Sequence, residues 1–176
     1  VLAHLANDEA LIAAFEQRMP PSGKLDGGGG GVHAEPPIDI FKCMAMHLFS
    51  CQLSQVSDDM RKAVKAVTYA LLYGSSTART AQANGLSETA VKRVSDKFNV
   101  SYPRVQQYLA EVKRECRKNG YVETLAGRRR YLPEIRSNDS KKANAARRQA
   151  INSTVQGSAA DLIKQAMLRI DEHLTP

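Results

Sequence analysis

The sequence has few residues of the kinds that bind metals or form cross-links. Its three cysteines, Cys43, Cys51 and Cys116, are an odd number without C-x-x-C spacing. This argues against a disulfide framework and against a zinc site, and it favours a reducing compartment. The four histidines are scattered along the chain and form no metal-ligand pattern. We therefore expect no metal ligands in this sequence.

Long apolar runs are also missing. No stretch approaches the ~20 apolar residues that a membrane-spanning helix needs, so we expect no membrane partner. The first residues, VLAHLANDEALIAAF, carry acids inside their apolar pattern and have no basic leader, which excludes a signal peptide. Because the sequence begins without methionine, we expect it to be a piece of a larger protein.

The composition that remains is that of a globular, cationic domain. The 176 residues are 43% hydrophobic, which is enough for one domain with a core. Lysine and arginine number 25 against 18 acidic residues, for a net charge of +7. This excess favours an anionic partner such as nucleic acid.

Apolar periodicity and capping residues predict a mainly α fold with one short β-hairpin. The hairpin strands are expected at Tyr121–Leu125 and Arg130–Leu132, on either side of Gly127. Met19 to Pro37 holds four prolines and five consecutive glycines, which predicts a flexible insertion or linker. Helix caps are expected at Asn7 or Asp8, Ser76 and Ser87, and a turn at Gly85. Gly157 is expected to interrupt the last helix. The predicted helices are Val1–Gln17, Ile38–Phe49, Ser57–Gly74, Ser76–Asn84, Ser87–Asn99, Ser101–Asn119 and Asn138–Leu174.

One of these helices has a pattern that indicates chemistry. In SDDMRKAVKAVTYALLYG, Arg61, Lys65, Tyr69 and Tyr73 recur every four residues. Four residues turn a helix by about 400°, so the side chains form one slowly winding stripe roughly 18 Å long. Two cations followed by two aromatic rings suit a ligand with phosphates at one end and a flat ring at the other, such as a nucleoside triphosphate. The alternative is a solvated basic face with aromatics in the core.

Two further groups of polar residues are candidates for binding. Arg128, Arg129 and Arg130 lie at a turn between short strands, where one or two are expected to face a nucleic-acid backbone and one a structural carboxylate. A solvated patch is the alternative. For Asp161, which has no second acid nearby, we expect a structural or local electrostatic role.

The second group lies on the last helix. Arg148, Asn152 and Gln156 again recur every four residues, a combination that suits hydrogen bonds to base edges or sugars. A polar helix face in solvent explains the spacing equally well.

Four blocks of the sequence resemble family A DNA polymerases. RKAVKAVTYALLYG resembles the fingers-helix motif of that family, and GYVETLAGRRRYLP and INSTVQGSAAD are similar to two further blocks. VLAHLANDEALIAAF resembles the segment after the first catalytic-aspartate motif. The blocks occur in the family's order, and RRQAINSTVQGSAAD is most similar to the theta and nu branch. The resemblance covers nearly the whole chain outside Met19 to Pro37.

The resemblance implies the fingers subdomain and adjoining palm segments of a right-hand polymerase. Residues 1–18 would be a palm helix, 38–119 the fingers helices, and 120–176 a hairpin and a long helix returning to the palm. The implied function is template-directed DNA synthesis in repair or translesion synthesis, with a DNA primer–template and dNTP as partners. A nuclear location is expected, with a mitochondrion or another organelle as the alternative.

The resemblance also assigns roles to single residues. Arg61 and Lys65 match the positions that hold the incoming triphosphate, and Lys65 has a catalytic role in pyrophosphate departure. Tyr69 matches the aromatic residue that packs on the incoming nucleotide. The remaining assignments are Tyr73 and Gly74 to the template base, and Arg128, Arg148, Asn152 and Gln156 to the primer–template.

Two departures from the family pattern matter. Bacterial members carry Asp-Ile-His where this chain has Asp39-Ile40-Phe41, so the histidine's phosphate contact is lost or supplied by another residue. Both catalytic carboxylates would lie outside Val1–Pro176, and the Mg²⁺ of the intact enzyme would be held there. The fragment is therefore expected to bind substrates without polymerising.

Two other functions fit part of the pattern. TARTAQANGLSETAVKRV, with Lys92 and Arg93 on its second helix, has the offsets of a helix-turn-helix DNA-binding module. A single-subunit RNA polymerase shares the Arg/Lys/Tyr-Gly helix. Both leave the GRRRYLP and VQGSAAD blocks unexplained.

Overall fold

The structure is a computed structural model that describes residues 1–16 and 39–174. Within these ranges the fold is mainly α with one antiparallel hairpin, as predicted, and the expected insertion Met19 to Pro37 lies outside them. The strands are β1 Tyr121–Glu123 and β2 Arg129–Tyr131. The helices are α1 Leu2–Ala6, α2 Glu9–Glu16, α3 Ile40–Phe49, α4 Asp58–Tyr73, α5 Thr77–Asn84, α6 Glu88–Ser101, α7 Pro103–Asn119 and α8 Ser140–Leu174, with short 3₁₀ helices at Leu53–Gln55 and Pro133–Arg136.

The chain divides into two compact units. The first unit comprises Val1–Asn7, Ala70–Ser75 and Pro103–Pro176, and the second comprises Asp8–Tyr69 and Ser76–Tyr102. Helix α4 thus belongs to the second unit up to Tyr69, and its last turn belongs to the first. Among the helices described, none has the length and apolar content needed to cross a membrane.

The core of the first unit lies between α7, the hairpin and α8. Cys116 from α7 is fully buried there. Helix α7 stops at Gly120, which has φ +82°, and Arg136 donates hydrogen bonds to the last carbonyls, those of Arg117 and Lys118, at 2.8 and 2.6 Å. The other buried members of this cluster are Val122, Leu132, Ile135, Ala146 and Ala150.

The hairpin is fastened to the middle of α8. Ser158 is fully buried; its hydroxyl accepts a hydrogen bond from the Leu125 backbone N–H at 2.9 Å and donates one to the Thr154 carbonyl. Near its middle, α8 therefore holds the turn between the strands through a Ser158 hydrogen bond that no apolar side chain could make.

Helix α8 runs for 35 residues without a break, so the predicted interruption at Gly157 is wrong. A Cβ atom built on Gly157 would lie 2.8 Å from the Thr124 side chain and 3.3 Å from that of Arg128. Glycine is needed here because the hairpin turn approaches the helix closely, and neighbouring contacts offset its low helix propensity.

In the second unit, side-chain caps set where the helices begin. Ser76 accepts from the Arg79 N–H at the start of α5, and Ser87 does the same for Ala90 in α6. The Gly85 turn between them has φ +64°. These caps and this turn confirm the prediction. Phe98 and Tyr102, both fully buried, pack edge to face with ring centroids 4.8 Å apart.

The structure corrects the first predicted helix. Instead of one helix over Val1–Gln17, α1 and α2 are separated at Asn7, which adopts a left-handed conformation with φ 48°. Asp8 then caps α2 by accepting a hydrogen bond from the Leu11 N–H at 3.0 Å. The predicted cap at Asp8 is therefore confirmed. It begins a second helix because the Asp8 side chain, and not the backbone of a continuous helix, accepts this hydrogen bond.

The Ser158 contact makes a testable prediction about stability. Ser158→Ala leaves the Leu125 N–H without its partner and should lower the free energy of unfolding by roughly 1–2 kcal/mol. Ser153→Ala is the matched control on the same helix, because the buried Ser153 hydroxyl has no hydrogen-bond partner within the described residues. Urea denaturation should find the control nearly neutral; equal effects would show that Ser158 does not fasten the hairpin.

Candidate nucleotide and nucleic-acid sites

Helix α4 separates a buried face from a charged face. Its start is capped by the Ser57 hydroxyl, which accepts a hydrogen bond from the Met60 N–H at 3.2 Å. In the second unit, Lys65 and Tyr69 are exposed and Arg61 is half-buried. The opposite face is buried through Ala63, Val64, Ala66 and Val67. This part of the stripe is therefore neither solvated throughout nor hidden in the core.

Arg61 is held by an aspartate that the sequence did not reveal as its partner. Nε and Nη2 of Arg61 lie 3.1 and 2.6 Å from Oδ2 of Asp39. The other carboxylate oxygen of Asp39 accepts hydrogen bonds from the backbone N–H groups of Phe41 and Lys42, and so caps α3. One carboxylate thus joins the start of α3 to the start of the stripe.

The pKa values of the two partners reflect this contact. Partial burial raises the pKa of Asp39. The Arg61 guanidinium and the backbone N–H groups lower it by more, so the pKa of Asp39 lies below its ordinary value. Hydrogen bonding to Asp39 raises the pKa of Arg61. Because about a third of each side chain is exposed, the pair contributes little to stability, and its effect is mainly on geometry.

Phe41, which stands where the resemblance predicts a histidine, packs on the stripe. The rings of Phe41 and Tyr69 have centroids 6.0 Å apart and are tilted by 51°. Nζ of Lys65 lies 5.9 Å from each ring centroid. A cation at this distance is attracted to the ring faces. Phe41 therefore makes no polar contact like that of a histidine, and instead supports Tyr69 and Lys65.

In the first unit, the last turn of α4 meets α8. The Tyr73 hydroxyl accepts a hydrogen bond from the Gln156 amide at 2.7 Å. A Cβ on Gly74, which has φ +64°, would lie only 2.6 Å from Cγ of Arg148. The structure thus brings together four residues that the sequence assigned to the template or the primer–template, from positions 74 residues or more apart.

A cleft beside these residues has unsatisfied polar atoms. Its volume is about 270 Å³. Oδ1 of Asn152 and the hydroxyl of Ser153 are shielded from solvent and lack hydrogen-bond partners within the described ranges. Such atoms are costly unless a ligand or water satisfies them. The cleft is lined by Arg128, Arg130, Asn152, Ser153, Gln156 and Gly157.

Two of the three adjacent arginines face carboxylates, one more than expected. Arg128 binds Asp161 with Nη2 at 2.9 Å, and Arg129 binds Glu123 at 2.6 Å. Arg129 also lies 4.7 Å from the centre of the Tyr121 ring. Hydrogen bonds from Thr124 and Arg128 lower the pKa of Asp161, in agreement with a local electrostatic role. Arg128 is still 55% exposed, so one edge of the cleft stays cationic.

The described residues do not form a metal site. Over residues 1–16 and 39–174, no three His, Cys, Asp or Glu side chains come close enough together to hold an ion. The side chains near the stripe therefore offer cations and rings to a ligand, and no carboxylate cage.

Comparison with known proteins decides the family. The model of DNA polymerase family A matches residues 1–176. The chain belongs to DNA polymerase family A. It is 33% identical over 174 residues to DNA polymerase theta of Drosophila melanogaster and 34% identical over 174 residues to DNA polymerase I of Pseudomonas aeruginosa. These alignments cover 99% of the chain but only 8% and 17% of those proteins.

A solved family A structure has the same fold. It is the POL domain of Pol1 from M. smegmatis in complex with DNA primer-template and dNTP, with a TM-score of 0.79 and 35% identity. The similarity covers 98% of this chain and 27% of that one. Family A membership decides against the helix-turn-helix module and the single-subunit RNA polymerase, although α5 and α6 do pack together across the Gly85 turn.

Sequence reasoning missed the residues that support the stripe. Asp39 was noted only as part of a departure from the family pattern, although its position before a helical run is a cap signal. Its pairing with Arg61 spans 22 residues and has no local signature. Nor does any sequence pattern indicate that Phe41 packs on Tyr69.

The contact between Gly74 and Arg148 makes a second prediction. Gly74→Ala should cost more stability than Gly85→Ala, because both glycines have φ +64° but a Cβ on Gly85 meets nothing within 4 Å. The left-handed conformation alone should cost about 1–2 kcal/mol in each variant. The extra loss at Gly74, measured by urea denaturation, reports the Arg148 contact, and equal losses would mean that Arg148 moves aside freely.

Proposed function

We propose that this chain is the nucleotide-binding part of a template-directed DNA polymerase of the theta-like, repair or translesion type. The single observation that carries the proposal is the exposed face of α4, on which Lys65 and Tyr69 follow the half-buried Arg61 opposite a buried apolar face. Membership of family A supports the reaction type. So does the bound primer-template and dNTP of the M. smegmatis structure. The chain spans less than a fifth of the two relatives' lengths, so these activities belong to a larger protein.

In this proposal the stripe orders the incoming dNTP from phosphates to ring. Arg61 and Lys65 bind the triphosphate, and Lys65 stabilises the charge that develops on the departing pyrophosphate. Tyr69 packs on the nucleoside. Tyr69 is 41% exposed while its ring packs on Phe41, so part of the residue is accessible to a ligand.

We assign the nucleic acid to the first unit. Tyr73 and Gly74 hold the template base, and the helix face with Arg148, Asn152 and Gln156 follows the primer–template minor groove together with Arg128. The buried amide oxygen of Asn152, which has no hydrogen-bond partner within the described residues, supports this role because it can still accept a hydrogen bond. In the minor groove the guanine amino group is such a donor, whereas the other base edges offer acceptors that suit the arginines.

The remaining assignments concern the intact protein. Family A polymerases use a divalent metal, and we propose that Mg²⁺ is held by carboxylates that are not among the described residues. Residues 1–18 and 120–176 would adjoin the palm, and 38–119 would form the fingers. A nuclear location, or an organellar one, is part of the same proposal.

Substitution of Lys65 tests the proposed site. Lys65→Ala in the intact polymerase should lower the maximal rate of single-nucleotide incorporation about a hundredfold, because a cation that stabilises the transition state is lost. Lys92→Ala is the control: it removes the same charge from an exposed helix position of the same unit. Pre-steady-state kinetics on a defined primer–template should show near-wild-type rates for the control.

The opposite pattern would contradict the assignment. If Lys92→Ala impaired DNA binding while Lys65→Ala left incorporation unchanged, α5 and α6 would carry the function and the stripe would be a solvated face.

Tyr69 should determine how the enzyme treats the sugar of the nucleotide. Tyr69→Phe removes only the hydroxyl, and the ring can keep its packing on Phe41. We expect stronger rejection of dideoxynucleotides, by roughly tenfold or more, since one lost hydrogen bond near the sugar is worth about 1.4 kcal/mol or more. Competition between dTTP and ddTTP measures this ratio, and an unchanged ratio would remove Tyr69 from the sugar contact.

A further inference from the structure

We propose that Asp39 is a positioning residue: it holds Arg61 by one edge of the guanidinium, so that the other edge meets the triphosphate. This inference rests on the proposed function and adds to it a residue outside the stripe. Asp39 is the residue that precedes α3, and Arg61 lies 22 positions further along the chain. Their contact therefore forms only when the second unit folds.

The two carboxylate oxygens of Asp39 have different tasks. Oδ1 accepts from the backbone N–H groups of Phe41 at 2.8 Å and Lys42 at 3.3 Å, which fixes the carboxylate on the end of α3. Oδ2 receives both contacts from Arg61, at 3.1 Å from Nε and 2.6 Å from Nη2. The backbone contacts thus hold the carboxylate in place independently of Arg61, so Asp39 can fix the orientation of the arginine.

The same geometry leaves donors for a ligand. Within the described residues, the hydrogen bonds of Arg61 use Nε and Nη2, and both end on a single oxygen. A guanidinium has five N–H donors in a planar fork, so the Nη1 side can still bind a phosphate oxygen. The Arg61 side chain is 31% exposed, so it is not sealed off from solvent.

Asp39 should have two opposite effects on an anion. Its negative charge repels phosphate, whereas the contact orders a long side chain that would otherwise lose rotamer freedom on binding. The repulsion is weakened because Asp39 is partly exposed to water. We infer that orientation outweighs repulsion, and that this effect acts only through Arg61.

A double-mutant cycle in the intact polymerase separates the two effects. Asp39→Asn keeps the cap, since asparagine caps helices as well as aspartate, but its amide nitrogen cannot accept from Arg61. The expected result is a dNTP dissociation constant raised about threefold to tenfold, the cost of ordering one long side chain. In the Arg61→Ala background, the same substitution should leave the constant unchanged or lower it slightly.

Two further variants serve as controls. Asp58→Asn removes a carboxylate that acts on Arg61 through charge alone, so it should not weaken binding. Asp39→Ser keeps a cap with a side chain that is too short to reach Arg61. It should raise the dNTP dissociation constant as expected for Asp39→Asn, and it replaces that variant if Asp39→Asn folds poorly. The maximal incorporation rate should change less than the dissociation constant in both Asp39 variants, which a general loss of structure would not produce.

Nuclear magnetic resonance of the 176-residue chain supplies a second readout. The Nε–Hε signal of Arg61 should shift on Asp39→Asn, and in the wild type it should keep its shift when dATP is added, because Asp39 and nucleotide occupy different edges. If dATP moved the wild-type Arg61 Nε–Hε signal to the position that this signal has in Asp39→Asn, the nucleotide would be displacing Asp39. That result would overturn the proposal.

The kinetic outcomes are equally decisive. Tighter dNTP binding by Asp39→Asn, or an equal loss in both Arg61 and Arg61→Ala backgrounds, would refute a positioning role. If instead neither Arg61→Ala nor Lys65→Ala affected dNTP binding, the proposed function itself would fail, and the two failures are thereby distinguished.

Discussion

The arrangement depends on one constraint: a helix can bury only one face. Helix α4 buries Ala63, Val64, Ala66 and Val67, and this packing decides which way the other side chains point. Arg61, Lys65 and Tyr69 lie on the face left over. Small and β-branched residues on the buried side allow the helix to sit close to the core, while the cations remain near water, where a charged side chain costs little. The chemistry of the outer face thus follows from the packing of the inner one.

Contacts from a second element make that face specific. Helix α3 contributes Asp39 and Phe41, which contact Arg61 and Tyr69, so its first residues set both the cationic and the aromatic part of the stripe. In the first unit, α8 has the same relation to Tyr73 and Gly74 through Gln156 and Arg148. Side chains that would be mobile alone are held by their neighbours, which would lower the entropy lost if a ligand bound there.

The sequence could predict what is encoded locally. Caps such as Ser76 and Ser87 and the glycine turn at position 85 appeared where expected. It could not predict what depends on distant neighbours. Gly157 has a low helix propensity, yet α8 continues through it because the hairpin turn needs the space. The pairing of Arg128 with Asp161 and that of Arg61 with Asp39 join residues 33 and 22 positions apart, and neither has a local signature.

The central claim is that the outer face of α4 binds a nucleoside triphosphate. The most direct measurement is a titration of the ¹⁵N-labelled chain with dATP, followed by the backbone and side-chain signals of each residue. Saturable shifts of the backbone signals are expected, concentrated at Arg61, Lys65 and Tyr69, with the adjoining Phe41 also affected. Saturable binding that shifts other surfaces and leaves these four residues unchanged would contradict it.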